Sequence, residues 1–131
     1  MAKLRHIAIN CEDLETEAAF YTAAFELQEV GRVGGGESGA IYLSDGVVNV
    51  ALIKMDDPNF PNYRPMGLNH VGFVVKDLDA AISRAEQAGA VATVDKEHMM
   101  AGATWEMKMK APSGVAFDLS DHGWPGVSQL D

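Results

Sequence analysis

Two histidines and one aspartate are the residues whose type and placement could do chemistry. His6 lies within Leu4-Arg5-His6-Ile7-Ala8-Ile9-Asn10-Cys11, and His70 within Leu68-Asn69-His70-Val71-Gly72-Phe73-Val74-Val75. Both segments carry β-branched residues at period two, the signature of a strand. Alternate side chains of a strand point to opposite faces. Leu4, His6, Ala8 and Asn10 therefore share one face, and Ile7 and Ile9 the other. His70 and Gly72 lie opposite Val71 and Phe73 in the same way. In a third segment, Val115 to Ser120, the apolar set is Val115, Phe117 and Leu119, which puts Ala116, Asp118 and Ser120 on the far side. Three metal-capable groups thus occupy like faces of corresponding strands. Two imidazoles and one carboxylate suit a divalent first-row metal (Fe, Mn, Ni or Zn) and leave positions for water or substrate. One histidine alone reads more readily as structural; recurrence at equivalent positions favours the ligand reading for His6 and His70.

The elements that must position these groups are written twice. His6 to Glu15 can be laid over His70 to Asp79, with His, Asp and Leu recurring identically about half the chain apart. Asp13 and Asp77 are placed as helix N-caps, and Glu15, Glu17 and Asp79 suit the positive pole that follows. Leu14, Ala18, Tyr21 and Phe25 form one helical stripe; Leu78, Ala81, Ile82, Ala85 and Ala88 form the other, with Gly89 as its stop. Three strands are expected after each helix: Glu29 to Val33, Ala40 to Ser44 and Val47 to Lys54, then Ala90 to Val94, Thr104 to Lys110 and Val115 to Ser120. Gly34-Gly35-Gly36 gives a loose connection, Asp45-Gly46 a two-residue hairpin signal, and Pro112-Ser113-Gly114 the last turn. The expected fold is α+β: two β-α-β-β-β modules, residues 1–55 and 68–131, pairing into a curved, barrel-like mixed sheet with an open cleft. The proline-rich stretch within 56–67 is the linker.

Composition narrows the partners. Ten Lys plus Arg against nineteen Asp plus Glu leave a net charge of −9, with no basic stripe, which disfavours nucleic acid and anionic membranes. No apolar run approaches the roughly 20 residues that span a bilayer. The N-terminus lacks a signal-peptide core, so a cytoplasmic location is expected. Cys11 is the single cysteine, which excludes an intrachain disulfide and thiolate clusters; no activating partner is evident, so it reads as a buried strand end.

Other residues could serve the same cleft. Glu106 shares a strand phase with Lys108 and Lys110, opposite Met107 and Met109. It is either a general base beside the metal or a carboxylate paired with Lys108. Tyr42, in phase with Ala40 and Ser44, could line the cleft as a hydrogen-bond donor. His98 and the run Asp121-His122-Gly123-Trp124-Pro125 sit in loops. His122 could transfer protons, and Trp124 could close over a ligand; a turn or dimer contact is the alternative for His122.

A strand centred on His, an acidic-Leu helix start, the pair Phe20-Tyr21, and a second such module resemble the vicinal oxygen chelate superfamily, over nearly the whole chain. That superfamily includes glyoxalase I, the fosfomycin and bleomycin resistance proteins, extradiol dioxygenases and methylmalonyl-CoA epimerase. The resemblance implies paired modules around a metal cleft, a homodimer, and metal positions on the first and last strand of each module. Carried over, these positions are His6, His70 and Asp118, with Asp one methylene shorter than the usual Glu. The fourth falls in Asn49 to Ile53, and strand phase points to Ala51, which cannot ligate. This departs from the four-ligand glyoxalase I design.

Two functions follow. A metal-dependent enzyme of dioxygenase or lyase/isomerase type would chelate vicinal oxygens of a small substrate, using Glu106 or His122 as acid–base group. A binding protein of the bleomycin-resistance kind would sequester a ligand without metal chemistry. The missing fourth ligand leans towards the second, the two histidines towards the first. A silent scaffold is the third reading.

Overall fold

The computed structural model describes residues 1–35, 38–54, 59, 65–94 and 106–127. The chain groups into two compact units: residues 6–69 with 124–128, and residues 1–5, 70–123 and 129–131. The first contains most of β1 (Lys3–Asn10), then α1 (Leu14–Phe25), β2 (Gln28–Gly35), β3 (Ser38–Ser44) and β4 (Asn49–Lys54). The second contains most of β5 (Gly67–Val74), then α2 (Leu78–Gln87), β6 (Val91–Val94), β7 (Met107–Lys110) and β8 (Ala116–Ser120). The fold is therefore α+β, and the β-α-β-β-β order expected for each half is present in both.

Each unit solves the same topological problem identically. In the first the strand order is β2-β3-β4-β1, in the second β6-β7-β8-β5. The outer pair β1/β4 is parallel, as is β5/β8, and the hairpins between are antiparallel. A parallel pair cannot be joined by a tight turn, so the helix and two further strands fill the crossover.

Both helices begin as the sequence dictates. Asp13 and Asp77 sit in extended backbone and accept hydrogen bonds from Thr16 N–H at 3.1 Å and Ala80 N–H at 3.0 Å. The Thr16 bond holds the Asp13 carboxyl below its ordinary range. α2 closes in a Schellman arrangement: Gly89 takes φ +113, its N–H reaches Glu86 O, and Ala90 N–H reaches Ala85 O. α1 ends differently, on Glu26 at φ +60, a left-handed position that a side chain rarely adopts.

The helix-facing side of each sheet is the apolar core. Cys11, Ala18, Ile41, Leu43 and Leu52 are buried together, with Ile9, Leu14, Tyr21, Leu27 and Val50 packed around them. In the second unit Val75, Leu78, Met107, Met109 and Leu119 do the same, flanked by Phe73, Ala81, Ile82, Ala85 and Phe117. Removing the side chain of a fully buried leucine such as Leu43 or Leu52 would cost about 2–5 kcal/mol. The helical stripes stop short of two expected members. Phe25 is 61% exposed at the end of α1, against the rings of Phe20 and Tyr21, and Ala88 is the exposed α2 cap.

Three connections depart from expectation. Gly34 and Gly35 remain in the β2/β3 ladder, opposite Gly39 and Ser38, since a ladder needs only backbone. The Asp45-Gly46 turn spans four residues, because the Asp45 carboxylate accepts from both Val47 and Val48 N–H at 2.9 Å and ties up the backbone that a two-residue hairpin would pair. Val115 lies outside β8 and is half exposed. Thr104, Trp105, His98 and most of the 56–67 linker lie outside the described residues. Among the described residues no helix is long and apolar enough to cross a membrane.

Replacing Glu26 by glycine relieves the left-handed backbone, and urea denaturation should show a gain of about 1 kcal/mol. An unchanged or lower midpoint would count against strain at that cap.

Candidate functional site

In the first unit the face turned away from α1 is polar and buried. Three strands present it in rows set by register: Ser44, Asn49 and His6 in one, Tyr42, Ala51 and Ala8 in the next. His6, Ala8, Asn10, Ser44, Asn49 and Ala51 are all buried, whereas Ile7 and Ile9 on the helix side are only partly so. Alternation thus placed His6 on the expected face, and along β1 that face is more enclosed than the apolar one.

His6 is held from two sides. Its Nδ1 lies 2.8 Å from Asn49 Oδ1, and the Trp124 ring stacks on it at 4.5 Å with planes 7° apart. The tautomer follows from chemistry. Asn49 Nδ2 donates to the Pro125 carbonyl at 3.0 Å, so its oxygen must be the atom that faces His6. An amide oxygen only accepts; Nδ1 therefore carries the proton, and Nε2 carries the lone pair that can bind a metal. Residues 124–127, which follow the second unit's last strand, form a strap on the first. Ser44 Oγ donates to Gly126 O at 2.8 Å and accepts from Gly46 N–H at 2.9 Å. Gly126 itself has φ +78, and a Cβ there would sit 2.7 Å from Ser44 Cβ.

In the second unit His70 Nε2 lies 3.0 Å from Asp118 Oδ2. Asp118 is almost fully buried on β8, opposite Gly72 of β5 and Lys108 of β7. Lys108 Nζ donates to the same Asp118 oxygen at 3.1 Å and to Glu106 Oε1 at 3.2 Å. Burial would push the Lys108 ammonium down, but the charges of Asp118 and Glu106 outweigh it and hold its pKa above the ordinary lysine value. Ser120 Oγ accepts from His122 and Gly123 N–H and turns the chain out of β8.

The donor set suits a divalent cation. Two ligands of one first-row ion at about 2.0–2.2 Å stand roughly 3.0–3.5 Å apart, and Nε2 and Oδ2 already hold that spacing. An ammonium on the carboxylate shows that this oxygen attracts a cation even without one from solution.

The two registers also locate the counterpart of Asp118. Gly72 pairs with Asp118 and, one repeat earlier, Ala8 pairs with Ala51. Ala51 is buried, and Tyr42 stands opposite it on β3. Glu106 is partly buried in its ion pair with Lys108. The His122 ring is exposed and lies 3.3 Å from Asp121 Oδ1. Burial, reinforced by Glu17 and Asp13, pushes the Cys11 thiol up to about 11, which leaves it without nucleophilic character at neutral pH.

Sequence reasoning missed Asn49 and the Lys108–Asp118 pair. Both signals were present. Asn49 shares the strand phase of Ala51, and an antiparallel turn centred on Ser113 puts Lys108 opposite Asp118.

The profile of the Glyoxalase/Bleomycin resistance protein/Dioxygenase superfamily matches residues 5–108. The chain is 31% identical over 94 residues to YwkD of Bacillus subtilis (strain 168), covering 68% of this chain and 73% of that protein. Among solved structures, the hypothetical protein BH1468 from Bacillus halodurans C-125 has a TM-score of 0.68 at 19% identity, over 90% of this chain and 92% of that one. A methylmalonyl-CoA epimerase variant of Streptomyces coelicolor, in complex with 2-nitronate-propionyl-CoA, has a TM-score of 0.68 at 18% identity, over 89% of this chain and 94% of that one. At such identities the two structures establish shared fold alone. The profile match over most of the sequence establishes more: the chain belongs to the Glyoxalase/Bleomycin resistance protein/Dioxygenase superfamily.

Proposed function

We propose that the protein is a metal-dependent enzyme in which His6, His70 and Asp118 hold one divalent ion. The observation that carries this reading is the His70–Asp118 pair, an imidazole nitrogen and a carboxylate oxygen 3.0 Å apart on the second unit's parallel strands. His6, its equivalent in the repeat, is independently fixed in the tautomer a metal ligand needs. The metal, when bound, supplies Lewis acidity towards two neighbouring oxygens of a small substrate. The chain's own residues then divide the remaining work. Asn49 and Trp124 orient His6, Tyr42 stands opposite Ala51 on β3 as a further polar group of that face, and Trp124 excludes water from one face of the imidazole. Glu106 is the favoured acid–base group over the exposed His122, because its carboxylate shares the Lys108 ammonium with Asp118. The reaction is of lyase/isomerase or dioxygenase type.

Ala51 favours a second reading. With no donor at the position corresponding to Asp118, the ligand set is one short, which suits a protein that sequesters a ligand rather than transforms it.

Elemental analysis of protein purified without chelators should find near-stoichiometric Fe, Mn, Ni or Zn that is lost in His70→Ala. Absence of metal in both, even after reconstitution, would leave sequestration as the better account. Asn49→Ala should weaken metal affinity about 10–100-fold while the fold persists, since the partner of a ligating histidine sets its tautomer and orientation; unchanged affinity would remove Asn49 from the site. Gly126→Ala forces the strap off Ser44, so it should cost about 1–3 kcal/mol in thermal unfolding and weaken metal binding in parallel. Wild-type stability in that variant would show that the strap tolerates a side chain.

A further inference from the structure

Lys108 has no assigned role in the reading above, yet it places a positive charge directly on the proposed ligand Asp118. Its ammonium lies 3.1 Å from Oδ2, the same oxygen that His70 Nε2 approaches at 3.0 Å. Both side chains of the ion pair are largely buried, and that of Asp118 is only 3% exposed. The placement is built into the backbone: Lys108 and Asp118 are direct register partners on β7 and β8. Glu106, two residues earlier, binds the same ammonium at 3.2 Å. A carboxylate buried this deeply needs a compensating charge at all times. A metal would supply it when bound; among the described contacts of Asp118, Lys108 is the group that supplies it otherwise.

We infer that Lys108 is an internal counter-cation that competes with the metal for Asp118, so that loading the site requires the ammonium to leave Oδ2. This rests on the proposed metal site. One ligand oxygen then serves two mutually exclusive cations. The lysine keeps the metal-free protein folded and lowers its affinity for the ion. Its long, flexible stem lets the ammonium withdraw without backbone change, since Glu106 can keep hold of it.

The test compares Zn²⁺ binding by calorimetry in wild type, Lys108→Met and, as a control, Lys110→Met. The last removes a charge from the same strand without touching Asp118. Lys108→Met should bind Zn²⁺ at least about tenfold more tightly while its metal-free form melts at a lower temperature, and Lys110→Met should match wild type within about threefold. A second measurement does not depend on the variant folding. In wild type with ¹³C-labelled lysine, the Lys108 Cε signal should move in step with Zn²⁺ occupancy. Equal affinities in all three proteins, or a Lys108 signal unmoved while Zn²⁺ binds, would overturn the competition and leave the metal site standing. Failure of wild type and variants alike to bind Zn²⁺, Mn²⁺, Ni²⁺ or Fe²⁺ would overturn the metal site and the competition with it.

Discussion

Parallel pairing of the first and last strand of each module is the constraint on which the remaining structure depends. β1 lies beside β4, and β5 beside β8, in registers that match across the repeat, Ala8 with Ala51 and Gly72 with Asp118. Once two strands run the same way, the chain must return by a crossover, and α1 or α2 with the following hairpin provides it. The helix can cover only one side of the sheet. Period-two alternation then sorts every residue of the pair into a helix-facing set (Ile9, Leu52, Phe73, Leu119) and an opposite set (His6, Asn10, Asn49, Asp118). Chemistry-bearing side chains collect on the second face because the first is committed to packing.

The opposite face is itself buried, which is energetically demanding. His6, Asn10, Asn49, Ser44, Asp118 and Ser120 are each at most 4% exposed. Buried polar groups cost several kcal/mol unless their hydrogen bonds are met. The structure meets them with specific partners: Asn49 between His6 and Pro125, Ser44 between Gly46 and Gly126, Ser120 under the His122–Gly123 turn, Asp118 between His70 and Lys108. Such satisfied networks fix side-chain positions more tightly than apolar packing does. A site that must hold donors within a few tenths of an ångström gains from that rigidity.

The legibility of the fold in the sequence followed the range of the signals. Asp13 and Asp77 announced both helix starts because capping is a local interaction, within three residues. The strand phases of His6, His70 and Asp118 were readable because alternation needs no knowledge of partners. What escaped were features that depend on partners distant in the chain. Phe25 belongs to the α1 stripe by spacing, yet the stripe outruns the sheet beneath it. Asp45-Gly46 is the local exception: it looked like a minimal hairpin, but the Asp45 carboxylate accepts from the N–H groups two and three residues on. Asn49 and Trp124 could be placed near His6 only once the strap's route was known, since nothing local links Pro125 to β4.

That strap carries a consequence for how the molecule is made. The bond from Ser44 to Gly126 joins residues 82 apart, and that from Asn49 to Pro125 joins residues 76 apart. Contacts of such high sequence separation form late and slowly. During synthesis the four strands and helix of the first unit emerge long before residues 124–127, so His6 lacks its indole cover until those residues follow. The imidazole acquires that enclosure only once residues 124 and 125 have emerged. Completion of the first half is thereby timed by the end of the second, and a nascent chain stalled short of Trp124 holds an unfinished His6 environment however well its strands have paired.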